Sequence, residues 1–513
     1  MEFVSSCVSS VSSHFGTLVI GLAVMVLIYW YGTRKARVLE SAFPGMPGPK
    51  PLPFIGNVLD LIAAKGQIHV HFDTYYKKYG RLFSVSFFGS PGLVVGDPEM
   101  IKDILVKNFE CFHDRPEIFT LPEPLDKALS IAKGESWRRI RNTLSPTFSA
   151  FKLKGMARLM NMSCDTLMKK AEDVAQSGGS FDIVGHQQGL TLDIIMSTMF
   201  GIQTDYQNNP NDPTMQRALA AMKPSAFMQM VANIVLPLLP FGMKFLTSKA
   251  GGKIFFKEML ELKSLAQNVV DVKRRGESNR KDLLDLVLNS TSHDSTDKKK
   301  LTDDEVVAQC IIFLLAGYET SSTTLALVCY HLATNPRVQE RLQSEIDTVW
   351  TDVDKMPSYE TVHELPYLDM VVSETLRLCP PGLVLLRQCN KECVIKGIKI
   401  PNGAIILIPS YSMHRDPNFF PDPETFDPER FSDEAKHSRN PYVYQPFGHG
   451  PRNCIGMRFA QMEIKLVLVR LLKNYSFVVT KDTKIPPTIE SKATLTVTED
   501  ITLGVRKREQ YDE

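Results

Sequence analysis

A single cysteine lies in a glycine-rich segment whose residue types suit metal binding. The segment reads FGHGPRNCIG over residues 447–456 and places Cys454 among three glycines. Glycines let backbone N–H groups turn towards the sulfur, and Arg452 supplies a fixed positive charge two residues away. The helical pattern MRFAQMEIKLVLVRLL follows, so the sulfur also lies near a helix N-terminus, where the helix dipole favours an anion. A thiolate stabilised in this way is a candidate soft metal ligand, whereas a lone cysteine is ordinarily a small buried hydrophobe.

A second unusual feature is a polar run inside an apolar helical segment. The stretch LTDDEVVAQCIIFLLAGYETSSTTLALVCYHLATNP begins with a capping box at residues 302–305. Because it is apolar on nearly every face, we expect one long helix that crosses the core. The polar residues 319–324 depart from that pattern. Two interpretations stay open: the hydroxyls bond to the preceding helical turn, or the helix opens at residues 316–317 and leaves room for a small molecule beside Thr320.

Two further pairs of residues stand at helical spacing. Glu374 and Arg377 are three residues apart among apolar neighbours, so we predict a buried ion pair with a structural role. Trp137 and Arg141 are four residues apart in GESWRRIRNTLSP and share a helix face. By itself the second pair indicates only a cation near an aromatic ring.

These segments resemble those of the cytochrome P-450 family. FGHGPRNCIG matches the family's haem-binding loop, FxxGxRxCxG, at every defined position. AGYETS at residues 316–321 resembles the oxygen-activation motif, residues 374–377 resemble the ExxR pair, and FDPERF at 426–431 resembles the Pro-Glu-Arg-Phe segment. The four segments occur in the family's order, and the resemblance covers essentially the whole chain. Details such as LSPTFS and IPSYSMHRDP resemble family 3, the drug- and steroid-oxidising branch.

The resemblance implies a cofactor and roles for the site residues. Haem b, iron protoporphyrin IX, is the expected cofactor, with Cys454 as its iron ligand. Thr320 is expected to be the catalytic threonine, Glu319 its acid partner, and the opening beside them the place for dioxygen. The other expected haem contacts are Arg115, Trp137, Arg141, Arg387, Arg452 and Phe447. Family 3 members usually carry two arginines in the FHDRP segment, whereas this chain has one. Glu374 and Arg377 are expected to join Arg430 of FDPERF in a structural network.

The activity implied by the resemblance is that of a monooxygenase. NADPH-cytochrome reductase would supply two electrons, one oxygen atom of dioxygen would become water, and the other would enter a lipophilic substrate such as a steroid, lipid or xenobiotic. Cytochrome b5 is a second expected partner. Arg138 and Arg458 are expected on the surface that receives the reductase, where complementary charge would set the encounter rate.

Three other functions remain possible from the sequence alone. A haem-thiolate isomerase or dehydratase would act on peroxides without a reductase, but Thr320 and Glu319 count against it because that chemistry needs no delivered protons. A non-catalytic haem sensor and a membrane-anchored scaffold without haem are the remaining alternatives.

The rest of the body predicts a mainly helical chain with minor sheets, an α+β class in a cytochrome P-450 fold. We expect a helix at 70–80 followed by a hairpin at 81–96, and strands around the Pro-Asn-Gly turn of 394–412. Residues 136–200 and 252–290 favour helices. A length of 513 residues suggests about three domains, yet no internal linker is visible, so one haem-binding catalytic domain is expected over 58–513.

The N-terminal segment predicts a membrane anchor. Residues 15–31 carry no charge and would span about 26 Å as a helix, and positive charges follow at once. We therefore expect a luminal N-terminus over 1–14, a transmembrane signal anchor over 15–33 and a basic, proline-rich hinge over 34–57. The expected location is the endoplasmic reticulum membrane, with the catalytic domain in the cytosol and in contact with membrane lipid. Residues 224–243 are also free of charge and predict either buried core or a surface that enters the bilayer.

Composition excludes several other classes of protein. The net charge of +2 gives no case for nucleic acid as a partner. The nine cysteines are dispersed and form no CxxC, which disfavours a disulfide framework and a zinc ribbon. If the body is cytosolic, the glycosylation patterns at Asn161 and Asn289 are chance matches.

Overall fold

A computed structural model describes most of the chain after residue 37. The described residues are 22, 23, 25, 26, 29, 30, 33, 38–53, 56–64, 67–87, 90–116, 121, 123–213, 216, 220, 254, 257–275, 283–288, 300–352, 355–491, 494–497 and 501–508. Most of the expected anchor, all of residues 224–243 and Asn289 lie outside them. Internal contacts divide the chain into a smaller unit, 1–112 with 386–409, and a larger unit, 113–385 with 410–513. The expected single catalytic domain over 58–513 stays a prediction.

The smaller unit is built around a four-stranded sheet. Its helices are α1 (Val58–Ala63), α2 (Ile68–Tyr79) and α3 (Pro98–Lys102). Its strands are β1 (Leu82–Phe87), β2 (Ser90–Val95), β4 (Leu385–Gln388), β5 (Cys393–Ile395), β6 (Ile398–Ile400) and β7 (Ile405–Ile408). The sheet runs β1-β2-β7-β4, with β1 antiparallel and β7 parallel to β2, while β5 and β6 form a separate hairpin.

The larger unit is mainly helical. Its helices are α4 (Gly134–Leu144), α5 (Ala150–Ser177), α6 (Ile183–Met199), α7 (Lys257–Arg274), α8 (Leu283–Leu288), α9 (Asp303–Thr334), α10 (Pro336–Val349), α11 (Tyr359–His363), α12 (Pro366–Leu378), α13 (Ser410–Met413), α14 (Asp433–Ser438) and α15 (Met457–Asn474). A sheet of order β3-β11-β8 joins Ser180–Asp182, Thr502–Lys507 and Tyr475–Val478, and β9 (Ile489–Ser491) pairs with β10 (Leu495–Val497).

Helix α9 forms the centre of the larger unit. Thr302 and Glu305 make the predicted capping box, which satisfies backbone N–H groups at the helix start. The helix packs closely against α6, because a Cβ on Gly317 would lie 3.0 Å from Cδ1 of Ile195. Among the described residues α9 is the one helix long and apolar enough to span a membrane, but it is mostly buried. We therefore interpret it as the core helix that the sequence predicts.

The predicted elements agree well with the described part of the chain. The helix and hairpin expected over 70–96 are α2, β1 and β2, and the strands expected over 394–412 are β5, β6 and β7. The Pro-Asn-Gly turn holds Gly403 at a φ of 84°, which glycine adopts without strain. The mainly helical class with minor sheets is confirmed.

Candidate functional site

The glycine-rich loop wraps its backbone around Cys454. The Cys454 N–H donates to the carbonyl oxygen of Phe447 at 2.8 Å and closes the loop. Gly448 and Gly450 have φ values of 70° and 75°, a left-handed conformation in which a side chain is strained. On the far side, the Gly456 N–H hydrogen-bonds to the thiol and Gly456 caps α15. The local sequence therefore places a helix N-terminus and a backbone N–H donor beside the Cys454 sulfur.

The Cys454 thiol is accessible but surrounded by protein. The residue is exposed, yet desolvation by the protein around it raises the pKa of its thiol. The Gly456 N–H, Arg141 and Arg115 act in the opposite direction and favour the thiolate. A metal ion that replaced the proton would use this same stabilisation.

Three arginines gather beside that cysteine. Arg141 donates two hydrogen bonds of 2.9 Å to Asn453, one to its carbonyl oxygen and one to Oδ1. The Arg452 guanidinium lies 4.5 Å from the centre of the Trp137 ring and donates to the carbonyl oxygen of Ala132. Arg115 is half-buried and donates a long hydrogen bond of 3.4 Å to the carbonyl oxygen of Ser130.

The arginine cluster carries more positive charge than its surroundings balance. Asp114 is the carboxylate paired with Arg452, at 3.5 Å, and it also accepts from the Gly134 N–H at 2.8 Å. Burial, and next the repulsion from Arg115, lower the pKa of Arg452 to about 9. The buried Nε of Arg452 has no hydrogen-bond partner in the described part of the chain. Such a cluster fits a group that brings its own negative charges, such as the two carboxylates of a haem.

The polar run of α9 lies where the core helix becomes accessible. Ala316 is exposed in the middle of a helix whose later turns are buried, and Thr320 is partly exposed. The Thr320 hydroxyl donates to the Ala316 carbonyl oxygen at 2.7 Å, so the hydroxyl bonds to the preceding turn. The helix continues through 316–317 without a break. Glu319 accepts from the Thr494 hydroxyl at 3.1 Å.

Glu374 and Arg377 form a fully buried ion pair on α12. Two hydrogen bonds of 2.7 and 2.8 Å join the guanidinium to the two carboxylate oxygens, and neither side chain is exposed. Arg430 approaches the same carboxylate at 3.6 Å. Arg377 also donates to the carbonyl oxygens of His414 and Thr425. One buried pair thus ties α12 to three later segments of the chain.

One expected residue belongs to the smaller unit, and sequence reasoning missed three other residues. Arg387 belongs to the smaller unit, where it is buried and donates to the carbonyl oxygen of Leu386 at 2.8 Å. Sequence reasoning missed Asp114, although it stands next to Arg115 in FHDRP. It also missed Thr494, because the residues around Thr494 in the sequence match no motif. It also missed Glu463, a carboxyl buried on α15.

The Glu463 carboxyl is chemically unusual. Both of its oxygens are buried without a hydrogen bond of normal geometry in the described residues. Burial raises the pKa of Glu463 to about 8, while the nearby Ser321 hydroxyl acts in the opposite direction. Such a pKa favours the protonated carboxyl at pH 7, and the carboxyl lies near Ser321, the residue that follows Thr320 on α9. The sequence did contain one signal of this buried carboxyl, an acidic residue within the largely apolar helical segment MRFAQMEIKLVLV.

The described residues also bear on the thiols and on Asn161. The eight cysteines among them form no disulfide bond. Within these residues no cluster of three or more His, Cys, Asp or Glu side chains is arranged to hold a metal ion. Asn161 is buried and its amide donates to two carbonyl oxygens, so in the folded chain it is no glycosylation site.

Comparison with known proteins places this geometry in context. The family model described as Cytochrome P450 matches residues 46–505. The chain is 40% identical to Cytochrome P450 3A41 of Mus musculus over 96% of this chain and 97% of that protein. It is 39% identical to Cytochrome P450 3A7 of Homo sapiens over 95% of each, and 40% identical to Cytochrome P450 3A29 of Sus scrofa over 90% of this chain and 91% of that protein.

Proposed function

The chain belongs to the cytochrome P450 family and is a haem-thiolate monooxygenase whose cofactor is haem b, and we propose that Cys454 is its iron ligand. The observation that carries this proposal is the meeting of three features at one sulfur. The thiol is accessible, the Gly456 N–H hydrogen-bonds to it, and Arg115 and Arg141 lie close enough to stabilise its charge. The same reasoning leaves the other eight cysteines as ordinary thiols with respect to the haem.

The arginine cluster binds the haem carboxylates in this proposal. The two propionates would pair with the guanidinium groups and so offset the repulsion among Arg115, Arg141 and Arg452. The Trp137 ring holds the Arg452 guanidinium in place. Phe447 closes the loop through its carbonyl oxygen, and its apolar ring would contact the macrocycle. Arg387 is proposed as a further propionate ligand on the family resemblance alone.

The chain's own residues are proposed to manage protons for the reaction. As in cytochromes P450 generally, haem held by a thiolate supplies dioxygen activation and transfer of one oxygen atom. Thr320 stands on the accessible face of α9, where its hydroxyl exchanges its bond to Ala316 for one to a bound molecule. Glu319, held by Thr494, passes protons towards that hydroxyl.

The Glu374 pair has a structural role in this proposal. Glu374, Arg377 and Arg430 hold the segment before the cysteine loop against α12. Removing one member would leave an uncompensated buried charge. These residues act on the site by keeping the loop folded, and they do not touch the reacting atoms.

The proposed substrates are lipophilic steroids and xenobiotics. NADPH-cytochrome reductase is the proposed electron donor, with cytochrome b5 as a second partner. Arg138 and Arg458 are exposed, as a docking surface for an acidic flavoprotein requires. Membrane lipid is the proposed third contact, through an anchor over residues 15–33 and a hinge over 34–57 that hold the catalytic body on the cytosolic face of the endoplasmic reticulum.

Isotope labelling tests the reaction class. The haem-loaded protein is supplied with reductase, NADPH, a neutral steroid and ¹⁸O₂. A monooxygenase gives a hydroxylated product that carries one ¹⁸O atom and requires NADPH. An isomerase or dehydratase would instead transform an organic peroxide without NADPH, and a haem sensor would give no product. The family and the pair Glu319–Thr320 favour the first outcome over both alternatives.

A further inference from the structure

Three thiols come together in the smaller unit, at residues to which the proposed function gives no role. Cys111 ends a short 3₁₀ turn, and Cys389 and Cys393 flank the connection between β4 and β5. The Cys393 thiol is in hydrogen-bond contact with the thiols of both Cys111 and Cys389. The backbone fixes this meeting, because the Asn390 N–H donates to the Cys111 carbonyl oxygen at 2.7 Å. The sulfur atoms of Cys111 and Cys393, which are 282 positions apart in sequence, therefore lie next to each other.

The three thiols differ in exposure and in their hydrogen bonds. Cys389 is fully buried, and its S–H donates to the carbonyl oxygens of Lys391 and Ile400 at 3.1 and 3.7 Å. It is satisfied as a small buried residue. Cys111 and Cys393 are partly exposed. Burial, and next the neighbouring thiols, raise the pKa of Cys393 to about 12, so this sulfur remains protonated. Cys111 and Cys393 are thus the two sulfurs of the cluster that a small oxidant can reach.

We propose that Cys111 and Cys393 form a redox-modification site at which hydrogen peroxide converts the two thiols into a disulfide. The Cys111 sulfur attacks one peroxide oxygen, the O–O bond breaks and a sulfenic acid forms, while the other oxygen leaves as water after taking up the thiol proton. The Cys393 sulfur then attacks the sulfenic sulfur, the S–O bond breaks, and a second water leaves with the Cys393 proton. Two thiols lose two electrons in all, and one peroxide gains them.

The contacts favour oxidation over metal binding at this cluster. In the part of the chain that is described, these sulfurs do not meet the geometry of a metal site. The resulting disulfide would join the turn at 109–111 to the hairpin β5–β6 and close a long loop, which restricts the unfolded chain more than the folded one. The reaction needs only protein thiols and peroxide, so it is independent of the monooxygenase proposal.

Peptide mapping of the haem-loaded, full-length protein tests the inference. The protein is treated with a few equivalents of hydrogen peroxide, quenched with catalase, blocked with N-ethylmaleimide and digested without reductant. We expect a peptide pair joined through Cys111 and Cys393 that disappears after dithiothreitol. The crosslinked protein should also unfold at a higher temperature than its reduced form. Haem absorbance is followed in parallel, so that loss of haem is distinguished from thiol oxidation.

Matched variants complete the test. Cys111→Ser and Cys393→Ser should each abolish the crosslink, whereas Cys389→Ala and Cys310→Ser should retain it. A crosslink that joins Cys389 to Cys393, or irreversible oxidation of Cys111 with Cys393 still free, would overturn the assigned pair. Absence of any crosslink while the haem spectrum is intact would overturn the inference and leave the monooxygenase proposal untouched.

Discussion

The guanidinium of Arg452 lies over the ring of Trp137, 4.5 Å from its centre. The two residues are 315 positions apart in sequence, so the contact holds α4 against the loop that carries Cys454. Arg452 also faces repulsion from Arg115 and Arg141, and burial lowers its pKa to about 9. The geometry is that of a binding site for an anion, and the haem carboxylates supply one.

Neutralising Arg452 should therefore weaken haem binding. For Arg452→Leu we expect roughly 10-fold to 100-fold faster haem loss, since a charge-assisted hydrogen bond contributes about 1.5–3 kcal/mol. Transfer of haem to apomyoglobin measures this rate. Arg458→Leu removes an exposed arginine six residues along and serves as the control. Equal haem loss from the two variants would contradict a carboxylate-binding role for Arg452.

Thr320→Ala should separate electron consumption from product formation. The variant lacks the hydroxyl on the accessible face of α9, so we expect product per NADPH to fall by roughly tenfold to 100-fold while NADPH is still consumed. The control is Thr324→Ala, which removes a similar hydroxyl-to-carbonyl bond from a buried position one turn later. If both variants keep the parent's ratio of product to NADPH, Thr320 has no role in proton delivery.

Glu374→Gln should destabilise the folded protein strongly. The amide keeps the shape of the carboxylate but leaves Arg377 buried without its counter-charge, which costs about 3–5 kcal/mol. Urea unfolding measures the loss, together with the haem content of the purified protein. Glu429→Gln breaks an exposed pair with Arg341 and should change stability by less than about 1 kcal/mol. A Glu374 variant as stable as this control would remove the case for a structural role.

Glu463 should make the protein less stable as the pH rises. Its folded pKa is about 8 against an ordinary 4.5, so between these values the folded state holds a proton that the unfolded state has lost. Stability from this group is fully present below pH 4.5 and is lost through pH 8. Relative to the parent, Glu463→Gln should gain stability between pH 5 and pH 9, by at most about 5 kcal/mol.

Urea unfolding at several pH values measures that difference. The exposed Glu340→Gln is the control and should track the parent at every pH. A Glu463→Gln curve parallel to the parent's would mean that the carboxyl is solvated or paired in the folded protein.

The sequence predicted the elements of the site better than their contacts. The apolar pattern and the capping box were sufficient to predict helix α9, and the glycines together with Arg452 were sufficient to predict the cysteine loop. Both predictions succeed because each structure depends on residues that are neighbours in sequence. The contact between Arg452 and Trp137, the bond from Thr494 to Glu319 and the buried Glu463 depend on packing between distant segments. A pattern of residue types does not specify such packing. The meeting of Cys111 with Cys393 escaped notice for the same reason.

The thiolate ligand is tested most directly by the absorption spectrum of the reduced protein under carbon monoxide. The parent and the Cys310→Ser control should both display the red-shifted Soret band that a thiolate-bound haem gives. Cys454→Ala should lose that band, whether or not some haem remains bound through other contacts. Retention of the band by Cys454→Ala would contradict the account, because another residue would then have to supply the thiolate.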